Sequence, residues 1–508
     1  MSEKNLAEIF DGTEEVCLVL TEISLFYLRY LIVILDHLSM KNITTHLILI
    51  KGISPVYPNF YSKFYWDKKT LDAEELLTSK KEFYNLKVRV VSEFDKRKTQ
   101  KSAEQNNEAV VSCENAIISY LSTHKLKTED IELPLRKKGL KKLWKKQEIN
   151  FFGVLNFLEN DFFLTQFKGK IIFLNGRFPD QSAIKFFCKL NDKDFLCLEG
   201  GMPTRKRMHL SKFQSSVVSE LSQELQSQLN RTDISIHHQI EFADNFLQKN
   251  MTDKRFNHYL SLATSSINTI VAEIEKLKII TIFPISLGEF RSNNGIESFG
   301  WASQYEAIEN SIRYLAEREY EVRIRMHPNG ARNSWRDIQV LENLCERYRV
   351  KIYLPWDEID SYQLLKESEY VFTWGSTIGL EASALGKKTY VYGKSNYSEI
   401  ADIRNFSPLT LLEPDLENWT PNKNLAKQAI FIRNNYGVNL ESHILSSGST
   451  LILDELDTLQ ASYNPRLRKM MKKSYLFSAK NISNILKVLK IPNRITNQIL
   501  VFILRVYR

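Results

Sequence analysis

Residues 370–393, YVFTWGSTIGLEASALGKKTYVYG, place a glycine and two hydroxyl side chains between an apolar strand and a helix. Gly375 lets a ligand approach the backbone closely, while Ser376 and Thr377 offer hydroxyls. The start of the helix adds free N–H groups and a partial positive charge that suit phosphate. Glu381 lies on the same helix face as Thr377 and can reach the hydroxyl pair of a ribose. The pattern predicts a diphosphate seat, and the alternative interpretation is an ordinary helix cap with a solvated carboxylate.

A second candidate group follows another strand, in the segment EVRIRMHPNG. The alternation of Val322, Ile324 and Met326 predicts a strand that brings His327 to the carboxyl end of a sheet, where open α/β folds bind ligands. Pro328 fixes the turn, and the imidazole can donate a hydrogen bond to a phosphate or nucleotide oxygen near neutral pH. A single histidine after a strand is usually structural. Its combination with the glycine–serine–threonine turn favours a site residue.

The elements that would position these groups are short apolar runs alternating with helical stretches, the pattern of a parallel sheet wrapped by helices. Strands are predicted at residues 16–20, 45–50, 87–91, 170–174, 194–198, 279–283, 321–326, 350–354, 370–373 and 388–392. Residues 204–278 are polar and helical in pattern, with no strand signal. We therefore expect an α/β protein with two Rossmann-like domains facing a cleft, a helical connector and a basic amphipathic C-terminal tail.

The composition is that of a globular protein, with 508 residues of which 43% are hydrophobic and 25% charged. Its five cysteines show no metal-ligand spacing, which indicates reduced thiols in the cytoplasm. The start of the sequence lacks the pattern of a secretion signal. Residues 16–35 are apolar but interrupted by Glu22 and Arg29, so we expect a strand and a helix there and not a membrane span.

The formal net charge of +9 is concentrated at the C-terminal end. From Leu459 onward there are eleven Lys and Arg residues and no Asp or Glu. Apolar residues at helical spacing within this tail predict a helix lying on an anionic membrane, and the alternative is a pair of helices packed on the second domain. A second basic cluster, residues 136–146, could join the tail or line an acceptor groove. Nucleic acid is not the expected partner, because neither cluster belongs to a recognisable binding module.

With these motifs the sequence resembles the capsule and lipopolysaccharide glycosyltransferases of the GT-B fold, including transferases that use CMP-activated acidic sugars. The resemblance covers about half the chain. Its specific part is the His-Pro element together with the Ser-Thr/Glu pair. The matching segments are ITIFPISLGEF within residues 279–290, Trp301 with Gln304, RMHPN at 325–329, residues 360–388 and, more weakly, FLNGR at 173–177 and CLEGG at 197–201.

This resemblance implies roles for particular residues. It places the nucleotide-sugar donor in the second domain and the acceptor in the first, with Arg291 available to stabilise the leaving phosphate. An inverting transfer also needs a group to take the proton of the acceptor hydroxyl, for which Glu22 and Glu199 are the candidates, although either could be a turn carboxylate. The implied donor-side residues are Ser286, Glu289, His327, Pro328, Gly375, Ser376, Thr377 and Glu381, and those on the acceptor side are Asn175 and Arg177.

The predicted domains follow the same division. Residues 1–203 form the acceptor domain, 204–278 the connector, 279–417 the donor domain, 418–459 terminal helices and 460–508 the tail. The motif Asp192-Lys193-Asp194 matches an acidic metal-binding pattern, but it precedes a strand, where a turn is the ordinary explanation. We expect neither metal nor cofactor.

The expected function is transfer of a sugar from a nucleotide donor to a surface polysaccharide or lipid-linked acceptor, on the inner face of the cytoplasmic membrane. CMP, UDP and GDP remain possible donor nucleotides, and the stereochemistry stays open. The alternatives are a teichoic-acid-type polyol-phosphate transferase, a sugar-nucleotide epimerase and a non-catalytic scaffold for polysaccharide assembly. The basic tail favours a membrane acceptor over a free nucleotide.

Overall fold

A computed structural model describes most of the chain. The described residues are 6–21, 25–51, 53, 60–92, 102–123, 138–176, 178–200, 207–212, 218–252, 278–285, 298–318, 320–327, 335–355, 357, 359–440, 450 and 452–456. The basic C-terminal tail and residues 136–137 of the second basic cluster lie outside these ranges.

The first sheet within these residues has seven strands in the order β13-β6-β5-β4-β1-β2-β3. The strands β5-β4-β1-β2-β3 are parallel, while β6 and β13 are antiparallel to their neighbours. Its strands are β1 (Glu15–Leu20), β2 (Thr44–Ile50), β3 (Leu86–Val91), β4 (Lys170–Leu174), β5 (Phe195–Gly200), β6 (Arg207–Ser211) and β13 (Val438–Asn439). The accompanying helices are α1 (Leu6–Ile9), α2 (Leu25–Met40), α3 (Phe60–Ser79), α4 (Ala103–Thr123), α5 (Lys138–Asn160), α6 (Phe162–Gln166) and α7 (Pro179–Leu190).

The second sheet has six described strands, all parallel, in the order β12-β11-β10-β7-β8-β9. They are β7 (Ile279–Phe283), β8 (Glu321–Arg325), β9 (Lys351–Tyr353), β10 (Tyr370–Thr373), β11 (Lys388–Val391) and β12 (Arg404–Asn405). The helices of this half are α8 (Val218–Arg231), α9 (Ile236–Thr252), α10 (Gln304–Ala316), α11 (Trp335–Tyr348), α12 (Ser361–Glu367), α13 (Thr377–Ala384) and α14 (Lys423–Asn435).

Burial on both faces explains why these strands appear in the sequence as continuous apolar runs. In β1, Val16 and Leu18 belong to the core on one face of the sheet, and Cys17 and Val19 belong to the core on the other. All five cysteines are buried. Burial raises the pKa of the Cys197 thiol to about 12, so this group is protonated at neutral pH.

The prediction of no strand in residues 204–278 is wrong, because β6 pairs with β5 and extends the first sheet. The chain also returns to this sheet after the second one, since β13 pairs with β6. Arg207 holds the return segment by donating to the backbone carbonyls of Asn435 and Gly437 at 2.9 and 3.1 Å. We call the chain between β6 and β7 and the chain between β12 and β13 the crossing segments. They contact each other, since Nζ of Lys427 on α14 lies 2.7 Å from Oδ1 of Asp244 on α9.

Two Rossmann-like sheets connected by crossing segments confirm the predicted GT-B fold class. No helix in the described ranges is both long enough and apolar enough to cross a membrane.

Candidate functional site

The second sheet places three strand ends side by side. Thr373 of β10 is in register with Phe283 of β7, and Ile282 of β7 with Ile324 of β8. Parallel strands lie about 4.8 Å apart, so the ends of β10 and β8 are separated by about 10 Å across β7. The chain order reverses between β7 and β10, and such a reversal opens a ligand crevice at the carboxyl ends of the strands.

The glycine–serine–threonine turn follows β10 at this crevice. Gly375 has a φ of +90°, and a Cβ atom there would lie 3.1 Å from the Cβ of Ser395. Ser376 is the N-cap residue of α13, yet its side chain makes no capping hydrogen bond. Thr377 is exposed. The structure therefore does not use the Ser376 hydroxyl as an ordinary helix cap, and the start of α13 lies at the predicted place.

Two contacts hold the start of α13 against the sheet. The Tyr397 hydroxyl donates to the backbone carbonyl of Ser376, and Tyr397 is 1% exposed. At Gly379 a Cβ atom would lie 2.7 Å from Cγ2 of Thr373 and 2.9 Å from the Tyr397 hydroxyl. Only a residue without a side chain fits between this helix and its sheet. Sequence reasoning did not identify Tyr397 or Gly379.

Glu381 lies on α13 with a half-buried side chain. Its Oε2 atom accepts a hydrogen bond from the hydroxyl of Tyr362, which lies on α12. Burial raises the pKa of this carboxyl group, while the Tyr362 hydrogen bond and the Arg433 charge act in the opposite direction. The hydrogen bond from Tyr362 on α12 thus fixes the orientation of the carboxylate. Among the described residues none donates a hydrogen bond to its other oxygen, Oε1.

His327 follows β8 at the same edge and is half-buried. Burial, together with the charge of Arg325, lowers the pKa of the imidazole to about 4. The ring is neutral at pH 7 and can donate one hydrogen bond to an anionic oxygen. Arg325 is buried and donates to the carbonyl of Leu354, so it supports the loop beyond β9.

The structure thus brings His327, Gly375, Ser376, Thr377 and Glu381 to one sheet edge or to the helix that begins there. Other predicted site residues lie outside the described ranges, and they are Glu22, Arg177, Ser286, Glu289, Arg291 and Pro328.

The carboxyl edge of the first sheet also has a point where the chain order reverses, between β4 and β1. Asn175 and Gly176 follow β4 with φ values of +58° and +75°, a tight turn in the left-handed region. The Asn175 amide donates to the Leu198 carbonyl at 3.0 Å, which brings it beside Glu199 at the end of β5. Glu199 is half-buried and pairs across the β5–β6 ladder with His209. Asn175 and Glu199 are therefore neighbours.

The sequence analysis did not identify a buried carboxyl group at this edge, that of Asp180. Asp180, in the first turn of α7, is 7% exposed and accepts a hydrogen bond from the Thr21 hydroxyl at the end of β1. The chain order of the first sheet reverses between β1 and β4, so this pair lies at its switch point. Burial raises the pKa of Asp180, and the Thr21 hydrogen bond opposes this. The only local signal is an acidic residue after Pro179, which is also typical of an ordinary helix start.

The Asp192-Lys193-Asp194 motif occupies the opposite edge of the first sheet. Asp192 has a φ of +47° in a turn, and Asp194 pairs with Lys170 and Lys212 at 3.1 and 3.0 Å. This arrangement fits the turn interpretation.

Comparison with known proteins finds a family match over residues 204–404, to a family model described as capsule polysaccharide biosynthesis protein. The match includes the second sheet with His327 and the glycine–serine–threonine turn, but not the two weaker segments of the first sheet. No curated protein matches the chain.

Several solved structures are similar to this chain. Two of them are Thermosulfurimonas dismutans KpsC proteins, a beta Kdo 2,4 transferase and a beta Kdo 2,7 transferase, each 13% identical to this chain. They cover 51% and 60% of this chain and 78% and 89% of their own, with TM-scores of 0.31 and 0.32. A Neisseria meningitidis UDP-GlcNAc 2-epimerase is 12% identical, covers 87% of this chain and 99% of its own, and has a TM-score of 0.26. With TM-scores this low, none of the three similarities supports an assignment of activity to this chain.

The family match falls on the part of the chain that carries His327 and the glycine–serine–threonine turn. Over residues 204–404 this chain is similar to the capsule polysaccharide biosynthesis family, in agreement with the resemblance read from its sequence.

Proposed function

We propose that this protein is a glycosyltransferase that moves a sugar from a nucleotide donor to a surface polysaccharide or lipid-linked acceptor. One observation carries the proposal. The neutral His327 after β8 and the glycine–serine–threonine turn after β10 lie on either side of β7, at the carboxyl edge of the second sheet. Both lie in the segment that matches the capsule family. An imidazole N–H and the free amides at a helix start are donors suited to a diphosphate.

In this proposal, Ser376 and Thr377 bind phosphate, and Gly375 allows the phosphate to approach the backbone. His327 donates to a phosphate or sugar oxygen. Glu381 binds the ribose through Oε1, with Oε2 held by Tyr362. Ser286, Glu289 and Pro328 complete the donor side, and Arg291 stabilises the leaving phosphate.

The acceptor side is proposed at the edge of the first sheet, with Asn175 and Arg177 as binding residues. Transfer requires a base for the acceptor hydroxyl, and Glu22 and Glu199 are the candidates from the sequence. We add Asp180 as a third candidate, a buried carboxyl group at the switch point of the first sheet, because burial raises its pKa and so makes the carboxylate a stronger base.

The donor assignment is tested by a thermal-shift panel of CMP-, UDP-, GDP- and CDP-linked sugars. One nucleotide class should stabilise the parent, because a ligand at about 100 times its Kd adds about 2.7 kcal/mol to the free energy of unfolding. His327→Ala and Glu381→Ala should lose that stabilisation, and His238→Ala, which changes a 62% exposed histidine on α9, should retain it. Equal stabilisation of all four proteins by the active nucleotide would contradict the donor site, and no shift with any donor would favour the scaffold alternative.

Membrane association through the tail is the second part of the proposal, supported by its eleven Lys and Arg residues and the absence of Asp and Glu from its sequence. Truncation before Arg466 should weaken binding to anionic vesicles and leave nucleotide binding unchanged. Undiminished vesicle binding would contradict this role of the tail.

A further inference from the structure

The start of α5 carries a compact basic surface that the donor and acceptor sites do not use. Four exposed lysines form it, and we call them the lysine face: Lys141, Lys142, Lys145 and Lys146. Leu143 and Trp144 between them are half-buried. From Phe151 onward the same helix is buried against the first sheet. One helix therefore has a core-packed second half and a cationic first half.

Local helix energetics disfavour this arrangement. Positive charge near a helix N-terminus opposes the helix dipole, and the first turn of α5 has no acidic residue. The pairs Lys141–Lys145 and Lys142–Lys146 stand four residues apart, where like charges repel. Within the described part of the chain, none of the four forms an ion pair. Residues that break a local rule, with no compensating contact among the described residues, point to a function outside the fold.

The topology places the lysine face at the crevice edge of the first sheet. Through α6 the helix leads into β4, so it runs opposite to that strand and begins at the carboxyl edge. Its 23 residues span about 35 Å, against about 17 Å for the five residues of β4. The buried half packs beside α7, where the rings of Phe151 and Phe186 lie 6.5 Å apart. The lysine face therefore extends beyond the edge that carries Asn175 and Glu199.

We propose that the lysine face docks on an anionic phospholipid surface and turns the crevice of the first sheet toward the membrane. A protruding helix end with four exposed lysines on one face presents a convex surface, which suits a flat layer of phosphate headgroups. A glycan chain is bound in a concave site, and a helix end does not provide one. The inference does not depend on the donor site, and it concerns a surface separate from the C-terminal tail.

The test uses the full chain and sedimentation with vesicles of phosphatidylcholine, with or without about 30% phosphatidylglycerol. The variant K141Q/K142Q/K145Q/K146Q should bind the anionic vesicles at least tenfold more weakly than the parent. A control variant, K81Q/K87Q/K189Q/K351Q, removes the same charge from four exposed but scattered positions and should bind within about twofold of the parent. The corresponding Lys→Arg quadruple variant should also bind like the parent.

The Lys→Gln change removes repulsion within α5, so its melting temperature should equal or exceed that of the parent. Anionic vesicle binding equal to that of the parent would overturn the proposal. So would an equal loss in the scattered control, because net charge would then explain the effect. Loss of binding to a soluble anionic polysaccharide with vesicle binding intact would overturn it in favour of a glycan partner.

Discussion

The hydroxyl of Tyr397 donates a hydrogen bond to the backbone carbonyl of Ser376, the residue that begins the helix of the proposed phosphate seat. The same carbonyl accepts from the Gly379 amide at 2.9 Å. A side chain from beyond β11 therefore sets the direction in which the first amides of α13 point, and the geometry of the seat depends on a residue 21 positions away in sequence.

Tyr397→Phe should weaken nucleotide binding severalfold, because the Ser376 carbonyl loses one of its two donors and the helix start gains freedom. The free energy of unfolding should fall by about 1 kcal/mol. Calorimetric titration with the active nucleotide and thermal melts measure the two effects. Tyr314→Phe is the matched control, since it removes a hydroxyl that donates to the Glu413 carbonyl at 3.2 Å, away from the seat. A similar loss of nucleotide binding in both variants would contradict the positioning role of Tyr397.

Gly379→Ala should destabilise the protein by about 1–3 kcal/mol, because the new Cβ collides with Cγ2 of Thr373 at 2.7 Å. Adding Thr373→Ser removes that methyl group and keeps the hydroxyl that donates to the Phe283 carbonyl. The double variant should regain part of the lost stability in chemical denaturation. If Thr373→Ser lowers stability by the same amount in the Gly379→Ala background as in the parent, the collision is not the cause.

His327 should make stability depend on pH between about 6.5 and 4. Above 6.5 the imidazole is neutral in both folded and unfolded states. As the pH falls below 6.5, the unfolded chain binds a proton that the folded protein, with a pKa of about 4, does not, so the free energy of unfolding falls. The loss attributable to His327 should be on the order of 1–2 kcal/mol, allowing for its partial exposure. Denaturation at pH 7 and pH 4.5 should show a smaller drop in His327→Asn than in the parent, and an identical drop would refute the shifted pKa.

Asp180→Asn should reduce sugar transfer by about a hundredfold or more if this carboxylate accepts the acceptor proton. Nucleotide binding should be unchanged, because Asp180 lies on α7 beside the first sheet and the proposed donor site lies at the second. Burial raises its pKa, so replacing the charge with a neutral amide should maintain or raise stability at pH 7. Transfer assays are compared with thermal shifts, using Asp192→Asn at the opposite edge as the control. Full transfer activity in Asp180→Asn would exclude this residue as the base and leave Glu22 and Glu199.

Much of the fold follows from local pattern. The strands β4, β7 and β10 have the bounds that the apolar runs predicted, because strands buried on both faces are distinguished from their surroundings by hydrophobicity alone. The short strand β6 was missed, since Arg207 and His209 interrupt its apolar character within five residues. The two-residue strands β12 and β13 are too short to produce a periodic signal.

The sequence by itself determined which residue types stand at the strand ends: a histidine after β8, and a glycine with two hydroxyl residues after β10. Tertiary structure decided that these ends lie on either side of β7, that Tyr362 orients Glu381 and Tyr397 holds Ser376, and that Thr21 meets Asp180 across 159 positions. Periodicity reports which face of an element is buried. Register, strand order and the partners of buried polar groups arise only when distant elements pack, so no local pattern encodes them.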